Sequence, residues 1–158
     1  LSFVEQAAEL GHGGALHYLA LLHLSGHEAL SLKVDLGMFS MYLARAVEAD
    51  NADALFLRGH AHLNGDYGFS MNKRLALKDF EKAGTELEHA EAAVSAGAMY
   101  FSGIGVPTDK ERAFELYQRA GELGSVEGWR NVVACYATGE GVPRNEKVAK
   151  YIAETVLR

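Results

Sequence analysis

Apolar positions in this chain recur at spacings of three, four and seven residues, the period of a helix face packed on a neighbour, and the runs they form come in pairs. A small residue is followed eleven positions later by glycine at Ala15/Gly26, Ala54/Gly65, Ala92/Gly103 and Gly128/Gly139. The four glycines stand 39, 38 and 36 residues apart, intervals that mark stacked supersecondary units. Three positions before each glycine is a ring, His23, His62, Tyr100 or Tyr136, and a second apolar run follows around Phe39, Ala76, Ala113 and Ala149. The predicted unit is therefore helix, glycine turn, helix.

The fold class this predicts is all-α, a right-handed superhelical α/α solenoid forming one domain over residues 1–158. It divides into a leading half repeat at 1–13 and repeats at about 14–51, 52–89, 90–125 and 126–158. Residues 2–10 read as the second helix of a preceding repeat, because Ala7, Gly11 and Ala15 fall where Ala120, Gly124 and Gly128 fall in the clearest copy. The start at a half repeat without Met predicts a piece of a longer chain. In the first repeat the connection HEALSLKVDLG is about three residues longer than its counterparts and is expected at the surface. Asn72, Thr108 or Asp109, and Asn145 are the expected caps of second helices. Gly97 is expected to let two helix axes approach closely.

Composition agrees with this reading. With 17 glycines against two prolines, the chain suits many helices joined by glycine turns, and 49% hydrophobic residues suffice for a core. A net charge of −6 gives no basic footprint for nucleic acid or an anionic membrane surface. No apolar run approaches the length of a membrane span, so direct membrane insertion is not expected. The lone Cys135 excludes an internal disulfide and a cysteine metal cluster.

The copy at Ala92, Ala96-Gly97, Tyr100, Gly103-Ile104-Gly105-Val106, Asp109, Arg112-Ala113, Tyr117, Ala120-Gly121 and Gly124 resembles the Sel1-like repeat family, relatives of the tetratricopeptide repeats. The resemblance covers essentially the whole chain and is diluted in the first two repeats. There His23 and His62 replace Tyr, and the Gly-x-Gly-Val turn is lost. It implies a protein-interaction scaffold or adaptor that presents a concave helix face to a peptide or protein, with no enzymatic activity.

If first helices line that face, the side not used for packing recurs at offsets of about 3, 6 and 10 from each small anchor. This selects Tyr18, Leu21 and Ser25; Leu57, His60 and Asn64; Ser95 and Ser102 with Ala98 between them; and Asn131 and Thr138 flanking Ala134. Aromatic, hydroxyl and amide groups in one stripe suit an extended backbone. Small polar residues tolerated near helix ends give the same pattern without a ligand. The seven histidines include no convergent zinc spacing, and His23 and His62 at the ring position are expected to pack. No nucleophile elbow, phosphate loop, HExxH or Cys-His arrangement occurs, so no catalytic residue, cofactor or metal is expected. Cys135 is expected to be an inert thiol, and Tyr117 and Trp129 packing aromatics. Two further functions stay open: a regulatory or targeting module of a larger enzyme, and a self-associating homo-oligomeric array using the end repeats.

Overall fold

The computed structural model describes every residue from Leu1 to Arg158. Its helices are α1 (Ser2–Glu9), α2 (Gly13–Ser25), α3 (Leu36–Glu48), α4 (Ala52–Asn64), α5 (Lys73–Thr85), α6 (Ala90–Ser102), α7 (Lys110–Glu122), α8 (Val126–Thr138) and α9 (Glu146–Thr155). There is no strand. From α2 onward every helix opens on a residue whose side chain accepts the backbone N–H three positions on, which satisfies one of the donors a helix start leaves unpaired. The second helices use Asp35, Asn72, Asp109 and Asn145, and the first helices use His12, Asn51, His89 and Ser125. Between the two sequence candidates, Asp109 rather than Thr108 holds α7.

The chain forms two compact units, Leu1–Met71 and Asn72–Arg158. In the first, α2 and α3 lie against each other, with α1 on α2 and α4 on α3. Leu16, Leu19, Ala20 and Leu22 meet Phe39, Leu43 and Ala46 in its core. Each fully buried Leu or Phe there contributes roughly 2 kcal/mol of transfer free energy. The long connection of the first repeat is ordered: a 3-10 turn spans Glu28–Leu30, and His27 and Leu32 form an isolated antiparallel bridge. The Asp35 N–H still donates to the His23 carbonyl at 2.8 Å, the same bond that Asp109 makes to Tyr100 and Asn145 to Tyr136. The insertion is thus absorbed inside the loop while its two ends keep the spacing of the other repeats.

In the second unit α5, α6, α7, α8 and α9 pack in succession. Small residues set how closely. A Cβ on Gly84 would lie 2.7 Å from the Ala93 backbone, and one on Gly128 would lie 2.6 Å from Gly121 N and 2.8 Å from the Tyr117 carbonyl. Those are the close helix approaches. A Cβ on Gly97 would meet the Tyr117 ring at 2.8 Å and the Ala113 carbonyl oxygen at 3.3 Å, so the missing side chain admits an aromatic as well as the α7 backbone. Likewise Trp129 lies over Gly121. Tyr117 and Trp129 are packing aromatics, as their spacing predicts.

The two glycines of the Gly-x-Gly-Val turn have separate jobs. Gly103 and Gly139 end their helices in the left-handed conformation. Gly105 and Gly141 instead seat on the preceding repeat: a Cβ on Gly105 would be 2.8 Å from the Lys73 carbonyl carbon, and one on Gly141 would be 2.1 Å from the Lys110 carbonyl oxygen. In the second repeat Tyr67 takes this second place at φ 56°, and its ring lies edge-on to Phe39 at 5.6 Å.

Candidate functional site

The first helices bury one flank and leave the other accessible. Ala92, Ala93 and Ala96 of α6 are fully buried, as are Ala20 of α2 and Ala54 and Ala61 of α4. In the first unit, the stripe at the other flank of α2 has Tyr18 48% and Leu21 38% exposed, with Ser25 exposed beyond them. On α4, Asn64 is exposed, but Leu57 packs partly onto the core and the half-buried His60 ring lies edge-on to Phe56 at 4.6 Å. In the second unit Ser102 and Thr138 are exposed, while Ser95 and Asn131 are half-buried.

Two of these hydroxyls are already committed as donors. Ser25 Oγ donates to the Leu21 carbonyl at 3.0 Å, and Thr138 Oγ1 donates to the Ala134 carbonyl at 2.9 Å. What they still offer is acceptor lone pairs, suited to backbone N–H groups of a partner. The apolar contact area on these stripes comes mainly from Tyr18 and Leu21. The second unit presents small and polar groups instead, with exposed Ala98 and Ala134 between the hydroxyls.

A feature not singled out from the sequence lies on the turn side of the second unit. A cleft of about 880 Å³ is lined by Tyr100, Val106–Glu111 and the Gly139–Pro143 turn. Its signal in the sequence is the repetition of Gly-x-Gly-Val-Pro, which reads as a turn and gives no hint that two turns border an open cleft. Beside it the Tyr100 hydroxyl donates to Glu81 Oε2 at 2.9 Å, and Arg112 donates to Glu81 Oε1 through Nη2 at 2.6 Å and Nε at 3.0 Å. One carboxylate thereby ties α5, α6 and α7 together. Burial, with the Glu81 bond and charge, raises the Tyr100 phenol. Burial pulls the Arg112 guanidinium down, but its bonds to Glu81 and Glu115 outweigh that and leave it raised. Across the turn Lys110 Nζ pairs with Glu140 at 2.6 Å and sits 4.9 Å over the Phe101 ring. That bond holds the Glu140 carboxyl below its usual range.

Cys135 is buried, and burial followed by the Glu140 charge pushes its thiol up, away from the reactive thiolate. No group of three or more His, Cys, Asp or Glu side chains converges as a metal site. His23 stacks on Tyr42 at 5.6 Å and His62 lies edge-on to Phe69 at 5.1 Å, so both ring-position histidines are packed. No helix is long and apolar enough to cross a membrane.

The Sel1 repeat pattern matches residues 52–85, 90–125 and 134–154, more than half the chain. The chain is 28% identical over 130 residues to the ERAD-associated E3 ubiquitin-protein ligase component HRD3 of Candida glabrata, covering 75% of this chain and 16% of that protein. Its structure is similar to that of c5321, a protective antigen of uropathogenic Escherichia coli with an SLR fold, at a TM-score of 0.85 and 26% identity over 97% of this chain and 32% of that one. A Sel1 repeat protein from Oxalobacter formigenes is similar at a TM-score of 0.80 and 25% identity, over 92% of this chain and 58% of that one. Helicobacter pylori cysteine rich protein B shares the fold at a TM-score of 0.59 and 21% identity, over 79% of this chain and 91% of that one. The chain thus spans about a sixth of the length of its curated relative.

Proposed function

The chain belongs to the Sel1 repeat family, an all-α helical repeat solenoid whose members are generally protein-interaction modules, and from that premise we propose that it is a non-catalytic scaffold whose first-helix stripes hold an extended peptide of a partner protein. The observation that supports this is the accessible flank of the first helices. Tyr18 and Leu21 stay open to solvent at positions one helical step from residues buried to 3% or less. Apolar anchors of this kind, ringed by groups that accept backbone hydrogen bonds, are what binding to an extended segment requires.

The test is selection on a peptide array, followed by titration of a selected peptide against variants. Tyr18→Ala and Leu21→Ala are each expected to weaken binding about tenfold or more, the effect of losing a contact worth about 1.4 kcal/mol. Thr108→Ala, in the turn cleft, is expected to leave it unchanged. Binding that survives the first two changes and is lost with the third would move the site to the cleft.

A second reading concerns setting. HRD3 is by name a component of a ubiquitin-protein ligase, and the matched segment is a small share of it. On that ground the chain acts as the recruiting or regulatory module of a larger assembly. Fusion to, or stable co-purification with, a catalytic subunit would support this, and a stand-alone binder would not.

A further inference from the structure

Six of the seven histidines lie before Met71, and three of them, His12, His17 and His23, belong to α2 and its cap. His12 and His23 sit where the neutral ring fits the geometry. His12 Nδ1 accepts the Ala15 N–H at 3.2 Å and so closes the helix start. An imidazolium has only donors, so protonation removes that acceptor and sets a positive charge against the positive end of the helix dipole. His23 stacks on Tyr42 with the planes 12° apart, and its Nδ1 is buried with no hydrogen-bond partner. A proton there becomes a buried donor with nothing to receive it. His17 is half-buried on the same helix.

We propose that α2 is an acid-labile helix, loosened by proton uptake at His12, His17 and His23. Because α2 carries Tyr18, Leu21 and Ser25, mild acid then releases a bound segment, a second step that rests on the peptide-binding reading of that stripe. Burial lowers the His17 imidazole from its ordinary 6.5, against an opposing pull from Asp53. A lowered folded value means stability that is full above about 6.5 and lost as pH falls through the lower value, so the transition lies on the acid side of neutrality. The other charged or titratable groups on the elements around α2 are Glu5 and Glu9 of α1, His27, Glu28 and Lys33 of the connection after α2, Asp35 ahead of α3, Tyr42, Arg45 and Glu48 of α3, Asp50 in the turn before α4, and Arg58, His60 and His62 of α4. Arg45 Nη2 is engaged with the Ala8 carbonyl at 2.9 Å.

Amide hydrogen exchange read by mass spectrometry tests the first step without any partner. The α8 helix, capped by Ser125, serves as the internal reference. Between about pH 7.5 and about pH 5.5, either side of the free imidazole value, protection of residues 13–25 should fall about tenfold or more relative to α8, after correction for intrinsic exchange. The combined variant His12→Asn, His17→Gln, His23→Tyr should keep its protection. Asn51 caps α4 at the first position, and Tyr100 and Tyr136 occupy the third in later repeats. If that variant does not fold, each single change must recover part of the loss. Parallel loss in α2 and α8, or variants as acid-sensitive as the parent, would overturn the proposal. The release step is read separately with an array-selected peptide bound at neutral pH: dissociation from the parent but not from the variant on acidification is expected. A peptide that stays bound while α2 loosens would overturn the release step and leave the acid-labile helix standing.

Discussion

Replacing a helical glycine by alanine normally stabilises a helix by up to about 1 kcal/mol. Two glycines here should answer that change with opposite signs. At Gly128 in α8 the new Cβ would lie 2.6 Å from Gly121 N, 2.8 Å from Ala120 Cβ and 2.8 Å from the Tyr117 carbonyl oxygen. All three atoms are on or next to the α7 backbone, so no side chain can swing away, and α7 and α8 must part by several tenths of an ångström. Overpacking of this kind costs about 1–3 kcal/mol, and the rigid neighbours place it at the upper end. Less the helical gain, the net loss is about 2 kcal/mol, or about 4–8 °C in Tm for a chain of this size. At Gly37, exposed in the first turn of α3, the only close atom is Asp35 Oδ1 at 3.3 Å, the cap acceptor of Met38 N, which has to give by only a few tenths of an ångström. Alanine there should add about 0.5 kcal/mol. Urea unfolding followed by circular dichroism, with hydrogen exchange assigning the loss to the α7–α8 segment, reads both. A Gly128→Ala protein as stable as its parent, or equal losses at the two sites, would refute the claim that backbone contact at Gly128 decides the sign.

Burial, with the Cys135 and Glu127 charges, pushes the Tyr117 phenol up to about 12. Its raised folded value gives stability that is full below the free value near 10 and lost as pH climbs towards 12, so ultraviolet titration should show Tyr117 ionising only with unfolding, and Tyr117→Phe should remove that late step. Glu88 holds φ 57° at the turn position where Gly11 and Gly124 stand. Glu88→Gly should therefore raise stability by about 0.5–1 kcal/mol in a denaturant titration, and a loss would show that the left-handed backbone carries no strain. Cys135 should react with an aromatic disulfide reagent only on unfolding, and rapid labelling of the native protein would contradict the buried thiol.

The helix pairs were legible because every repeat states them locally. Asn72, Asp109 and Asn145 announce their helices from the position just before each begins, and the small anchors Ala15, Ala54, Ala92 and Gly128 mark the packed flank. What sequence left unread depends on residues far apart in the chain. The Tyr117 ring seated on Gly97 lies twenty positions away, so a rule about helix approach found the α7 backbone at Ala113 but not the aromatic beside it. Histidine caps were missed because His12 and His89 lie outside the usual Ser, Thr, Asp and Asn set, although their place one residue before each first helix was available as a signal. Leu57 shares its offset with Tyr18 yet leans on the core, since equal spacing along a helix does not fix what packs beside it.

Gly105 and Gly141 reach back to the start of the second helix one repeat earlier. The joint therefore has two halves, a glycine in one repeat and a lysine carbonyl in the one before, and the repeat holding Gly105 and Lys110 carries both. Duplicating or deleting a whole repeat of this kind joins matching halves again, so arrays can lengthen or shorten by recombination without inventing an interface. Tyr67 breaks that interchangeability: its ring meets Phe39 beside Gly37, a surface that a lysine-started helix does not offer. Exchanging the Tyr67-bearing turn for a glycine turn would therefore also require replacing the Phe39 surface it meets.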